Sequence, residues 1–366
     1  MRVDQGESLA PGNQDRRGSP LRLLGVTALT ACGSNSTSSG SAGGTSTSSA
    51  GSSAAAGGLK VGMAYDVGGR GDHSFNDSAA AGLDKAVKDF GVQTKELQAT
   101  NGESDADRAA KLDQLAANGY NPIIAIGFNY AAAVGIEAKK YPNVKFAIVD
   151  DSSNNLSNVT NLVFTEEQSS YLVGVAAALK SKTGTVGFIG GVDVPLIHKF
   201  QAGFQAGVKS VKPNDKILVK YLTPAGNFAG FSSPNLGQAA AEGQLSQGAD
   251  VIYAAAGSSG DGAIKAVHTH GNAWSIGVDS DQYNLPGLAA YKSTILTSAL
   301  KNVDVAVYNY IKSIHDGSPL TGTQRFDLKS GGVGYSTSGG FVNDIKPQLD
   351  KATQDITSGK VTVPTS

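Results

Sequence analysis

Cysteine is all but missing from these 366 residues: Cys32 is the only one, so no disulfide within the chain can staple the fold. Charge is sparse as well. Charged residues make up 17% of the chain and nearly cancel, 30 Lys and Arg against 31 Asp and Glu, which leaves no basic footprint of the kind nucleic acid requires. Nucleic acid is excluded as a partner. The usual catalytic signatures are absent too: there is no Walker sequence, no H-E-x-x-H and no G-x-S-x-G, and the glycines at 68–71 and 257–262 do not spell a dinucleotide fingerprint. Of the five histidines, His73, His198, His268, His270 and His315, only His268 and His270 lie close together, without further soft ligands nearby. We expect no enzyme, no cofactor and no metal.

What is present begins with Cys32 itself, which closes Leu29-Thr30-Ala31-Cys32 after the short apolar run 23–31. That is a lipobox. It assigns residues 1–31 to a signal peptide and the Cys32 thiol to a diacylglyceryl anchor, which with further acyl chains holds a protein to a membrane without a span. The leader is unusual: it carries Asp4, Glu7 and Asp15, and Arg22 interrupts its apolar part. Arg16-Arg17 reads as its positive region or as a twin-arginine echo, and a start further along the chain is the third reading.

Residues 33–59 hold no charge, no proline and no aromatic, and are almost wholly Gly, Ser, Thr and Ala. Such a stretch buries too little apolar surface to offset the entropy of ordering it. It is expected to be a flexible tether (32–59 with the lipidated cysteine), reaching on the order of 30 Å from the lipid.

From Lys60 onward, short apolar runs alternate with amphipathic stretches, the mark of βαβ units and a largely parallel sheet. Strands are predicted at 61–65, 122–126, 146–149, 186–189, 217–221, 251–255, 275–278 and 295–297. Ala79, Leu83, Ala86, Val87 and Phe90 share one helical face, as do Phe200, Phe204, Val208 and Val211. Lys60-Val61-Gly62-Met63 before one helix is echoed by Thr185-Val186-Gly187-Phe188 before the other. This predicts an α/β fold of two similar lobes, 60–165 plus about 296–325 and 166–295, with 326–366 closing on them.

The segment Val61 to Phe90 joins strand, glycine-rich loop and helix, with Phe75 and Asn76 at the junction. Glycines 68, 69 and 71 allow positive φ and close backbone approach, while Ser74, Asn76 or Asp77 can cap the helix. Asp66, Asp150 and Asp279 each follow directly on a predicted strand. All three carboxylates thus fall at strand ends, where open α/β sheets bind ligands.

The same segment, with Asp66, Gly68-Gly69, Asp72, His73 and Ser74-Phe75-Asn76, resembles the signature of the basic membrane protein family of ABC-transporter substrate-binding lipoproteins. Further matching runs are 166–174, 187–191, 200–204 and 277–283. The resemblance implies a type I periplasmic-binding-protein fold and, in members similar to purine nucleoside receptors, a base held between two phenylalanines with the ribose gripped by charged groups. Carried over by position, Phe75 is the first ring and Asn76 its neighbouring amide. Phe228 is the second ring, with Phe231 competing. Asp150 is the carboxylate that accepts from the base, with Asp151 adjacent, and Gly257, Asp279 and Lys301 contact the ribose. The implied protein is an extracytoplasmic, monomeric receptor anchored through Cys32, which delivers a purine nucleoside to a permease and ATPase on other chains. A receptor for a sugar or signal molecule, or a ligand-sensing surface protein without transport, is the alternative.

Overall fold

The computed structural model describes residues 58–366; Cys32, the leader and most of the tether lie outside them. The chain first runs β1 (Lys60–Tyr65), α1 (Phe75–Phe90), β2 (Gln93–Gln98), α2 (Asp105–Ala117), β3 (Ile123–Ala125), α3 (Ala131–Lys140), β4 (Phe146–Val149) and β5 (Val159–Phe164). It continues through α4 (Glu166–Lys180), β6 (Thr185–Val192), α5 (Pro195–Val211), β7 (Lys216–Thr223), α6 (Pro234–Leu245), β8 (Val251–Ala255), α7 (Ser259–His270), β9 (Trp274–Asp279) and β10 (Ile295–Lys301). It ends with α8 (Val303–His315), β11 (Gly322–Phe326), β12 (Val333–Tyr335) and α9 (Lys346–Thr357).

The strands form two six-stranded sheets, ordered β11-β5-β4-β3-β1-β2 and β12-β10-β9-β8-β6-β7. Position by position the two orders correspond. All pairings are parallel except β10 with β12. Successive residues of β1 enter different cores: Val61, Met63 and Tyr65 share one with α1 and α8, whereas Ala64 joins Leu112 of α2 and Val134 of α3 in another. Burial on both faces is what makes central strands of parallel sheets nearly continuous apolar runs. In the second lobe Phe188 packs towards Leu172 and Phe204, and Ile189 towards Ala241 and Val267.

The edge strand β2, Gln-Thr-Lys-Glu-Leu-Gln, has no apolar run, which is why no strand was expected there. β5 is fully buried yet holds Thr160 and Asn161, which break the apolar signal. Asn161 Nδ2 donates to Asn154 O at 2.8 Å.

One domain expectation is corrected. Residues 296–301 belong to the second sheet, because β10 pairs with β9 and β12. The chain returns to the first lobe only at Asn302, after which α8 packs on α1. The segment after Phe326 adds to the second lobe through β12 beside β10 and α9 against α4, while Val333 and Leu328 also pack into the core of the first lobe. Three strands of chain therefore cross between lobes, near Thr165, at Asn302 and at 327–332. They are tied to one another by Thr165 N donating to Phe326 O (3.1 Å) and Asn302 N donating to Gly332 O (2.9 Å). Hydrogen-bonded crossings side by side make a hinge.

Candidate functional site

A cavity lies between the lobes at the C-terminal ends of the strands. The first lobe supplies Asp66 after β1, Gly127 and Phe128 after β3, and Asp150 after β4. The second lobe supplies Gly257 after β8, Asp279 at the end of β9 and Lys301 at the end of β10. Phe75 and Asn76 enter at the start of α1, and Leu196, Ile197 and Phe200 from the first turns of α5. The strand-end rule thus operates twice.

Asp150 and Asp279 occupy equivalent places in the two sheets, and both adopt left-handed backbone, φ 69° and 62°. Asp is among the few non-glycine residues that tolerate this, at a cost that binding sites commonly carry. Gly127 and Gly257 follow the equivalent strands β3 and β8 with φ 104° and 55°. A Cβ at Gly127 would stand 2.5 Å from Asp66 Oδ2, and one at Gly257 2.7 Å from Phe231 O. Both positions require glycine on two counts.

The α1 start is built differently from the cap the sequence suggested. Ser74 makes no side-chain cap; its hydroxyl donates across the cleft to Asp279 Oδ2 at 2.5 Å. Asp72 takes over, accepting from the backbone of Ser74, Asn76 and Asp77 at 2.9–3.0 Å and from Asn76 Nδ2 at 3.0 Å. Asn76 Oδ1 then accepts from Asp66 N at 3.1 Å, locking the amide in place.

Lys301 is the buried cation of the site, 2% exposed, with Nζ 2.6 Å from Asp150 Oδ2 and 3.2 Å from Glu166 Oε1. Its ammonium also sits 5.1 Å from the Phe75 ring centre and 5.6 Å from that of Phe200. Burial works against its charge, but Asp150, Glu166 and Asp279 outweigh that and hold its pKa above the ordinary lysine value. Burial pushes Asp150 up to about 6 despite Lys301, and Asp279 to about 7 despite Lys301 and the Ser74 hydroxyl. Burial also raises Asp66 to about 6 against donors from Val67 and Asn129. Asp150 Oδ1 is buried without a hydrogen-bond partner. It has an acceptor to spare for whatever fills the cavity.

Asp66, Phe75, Asn76, Asp150, Gly257, Asp279 and Lys301 therefore share one cavity. Phe228 does not line it. Phe228 and Phe231 lie at the two ends of one 3₁₀ turn, whose rise of about 2 Å per residue separates their rings. Phe231 reaches the cavity, while Phe228 stands edge-on to Phe128 with centroids 6.0 Å apart. Asp151 turns away and accepts from Ser153 N at 2.9 Å. Sequence reasoning missed Phe128 and Glu166; the first follows β3 and was open to the same strand-end rule, whereas nothing local announces that Glu166 meets Lys301. Among the described residues no group of three or more His, Cys, Asp or Glu is placed to hold a metal ion, and no helix is long and apolar enough to cross a membrane.

Residues 59–366 match the family described as ABC transporter substrate-binding protein PnrA-like. The ABC transporter nucleoside-binding protein BmpA of Lactococcus lactis is 34% identical over 363 residues, covering 94% of this chain and 97% of that one. An uncharacterized lipoprotein of Pyrococcus abyssi is 34% identical over 289 residues, covering 76% and 69%. Among solved structures, an ABC transporter system solute-binding protein from Aeropyrum pernix K1 superposes with TM-score 0.74 at 30% identity, covering 84% and 94%.

Proposed function

Because the chain belongs to the PnrA-like family of ABC transporter substrate-binding proteins, we propose that it captures a purine nucleoside between its lobes outside the cytoplasm and delivers it to a permease driven by an ATPase on separate chains. The observation that carries this reading is the composition of one cavity. It takes phenylalanines from both lobes, Phe75 and Phe128 from the first and Phe200 and Phe231 from the second, and sets Asp66, Asp150 and Asp279 among them. Aromatic faces suit a flat heterocycle, with stacking worth roughly 1–3 kcal/mol per base in single-strand binders. Carboxylates suit a ligand rich in N–H and O–H donors, and charge-assisted hydrogen bonds are the stronger kind. Clustered carboxylates also disfavour a phosphorylated ligand. The name of the Lactococcus relative agrees with a nucleoside. The name of the Pyrococcus relative agrees with lipidation of Cys32, which mass spectrometry of the membrane fraction tests.

A thermal-shift panel of nucleosides, free bases and pentoses tests the ligand class, since stabilisation grows as RT ln(1 + [L]/Kd). Purine nucleosides should give the largest shift. Replacement of Phe75 or Phe231 by Ala should weaken binding at least about tenfold, or 1.4 kcal/mol, and Phe228→Ala by no more than about threefold. A shift with pentoses but no nucleoside would mean a sugar receptor. Equal losses at 228 and 231 would move the second ring.

A further inference from the structure

The loop 73–74 of the first lobe makes five hydrogen bonds to the second, the longest from the Ser74 hydroxyl to Val278 O at 3.5 Å. The His73 ring Nδ1 meets Asp261 Oδ2 at 2.8 Å, and the His73 carbonyl accepts from Gln282 Nε2 at 2.7 Å. The Ser74 hydroxyl donates to Asp279 at 2.5 Å, and its carbonyl accepts from Ser280 Oγ at 3.0 Å. His73 is held at φ 53°, in the left-handed region that few non-glycine residues adopt, while its N–H donates to Asp77 at 3.0 Å.

The receiving side is equally well built. Gln282 is 1% exposed, accepts from Val278 N on its side-chain Oε1 at 3.1 Å, and donates its backbone N–H to Ser298 Oγ at 3.2 Å. Its amide can reach only one way, across the cleft. Beside it the 3₁₀ turn Pro286–Leu288 presents Gly287. A Cβ built there would overlap the His73 ring, and the three nearest atoms it meets all belong to that ring. Gly287 has no positive φ to explain it, so what its missing side chain makes room for is the imidazole. Neither His73, Gly287 nor Asp261 lines the ligand cavity.

We propose that His73 is a positioning residue for capture: its ring, seated on Gly287 and tied to Asp261, is the tooth of a latch that holds the two lobes shut. This rests on the reading that the lobes close over a ligand. The latch acts on the closed state and leaves the approach of a ligand to the open state alone, so it governs escape more than entry.

The experiment measures inosine and adenosine dissociation by stopped flow, and the radius of gyration of ligand-free protein by scattering, on the full chain and on His73→Ala, Gly287→Ala and the double variant. Each single change should speed release about five- to tenfold with association rates within about twofold. The double variant should release no faster than His73→Ala alone, because a methyl at 287 has nothing to strike once the ring is gone. Equal release rates in all four proteins, or single effects that multiply in the double variant, would overturn the latch. If the unaltered protein binds neither nucleoside, the nucleoside reading fails by itself. The latch is then judged on the ligand-free compaction, where both single variants must be more open than the parent and the double no more open than His73→Ala; four equal radii would refute it.

Discussion

Asp150 and Asp279 are the same residue type at the same place in two similar lobes, yet they meet opposite company. Each ends the third strand of its sheet with left-handed backbone. Asp150, from the first lobe, bonds the ammonium of Lys301 from the second, beside the hinge. Asp279, from the second lobe, bonds the neutral hydroxyl of Ser74 from the first, under the His73 loop. Burial raises both, and Lys301 opposes that rise at both, through a direct contact at Asp150 and at longer range at Asp279, where the Ser74 hydroxyl adds to it. The repeated architecture fixes where a carboxylate stands, and the neighbour brought across the cleft fixes what it does.

The severest way to break the comparison is to remove the cation. Lys301→Met leaves Asp150 and Glu166 buried without it, and loss of one partner of a buried ion pair costs about 3–5 kcal/mol. Urea unfolding of the variant should show a loss of that order; a loss below about 1 kcal/mol would mean that Lys301 does not hold the two carboxylates.

A gentler change separates the two aspartates. Asp150→Asn discharges one side of the ion pair and should destabilise by about 2 kcal/mol or more. Asp279→Asn keeps a group able to accept from Ser74 and deletes a costly buried charge, so at neutral pH it should destabilise less than Asp150→Asn or stabilise the fold. The same denaturation assay ranks them, and equal losses would erase the distinction drawn here.

The last test is one of slope. A carboxyl raised from 3.8 to about 7 in the folded protein binds more protons folded than unfolded between those values. Stability from this group is therefore full below about pH 4 and is lost as pH rises towards about 7, by at most about 1.4 kcal/mol per unit. Asp279→Asn should gain stability relative to the parent across that window and run parallel to it above. A difference that stays constant from pH 4 to 7 would place the Asp279 titration elsewhere.

Local pattern carried much of this molecule. Apolar runs of four to six residues mark the central strands because both their faces are covered, and an aspartate directly after such a run must lie at a strand end wherever that strand is placed. This made Asp66, Asp150 and Asp279 legible, as the strand–loop–helix junction did Phe75 and Asn76. The polar edge strand β2 was not, since an edge exposed to water needs no apolar signal.

By itself, then, the sequence determined the alternation of strand and helix, the two similar halves and the line of carboxylates at their strand ends, all set by periodicities only a few residues long. Tertiary structure alone decided that β10 stays in the second sheet, that Phe231 rather than Phe228 enters the cavity, and that Lys301 lies between Asp150 and Glu166. Lys301 meets Asp150 and Glu166 from more than a hundred positions away, β10 is placed by its partners β9 and β12, and contacts between separated segments leave no mark on the local pattern around either one.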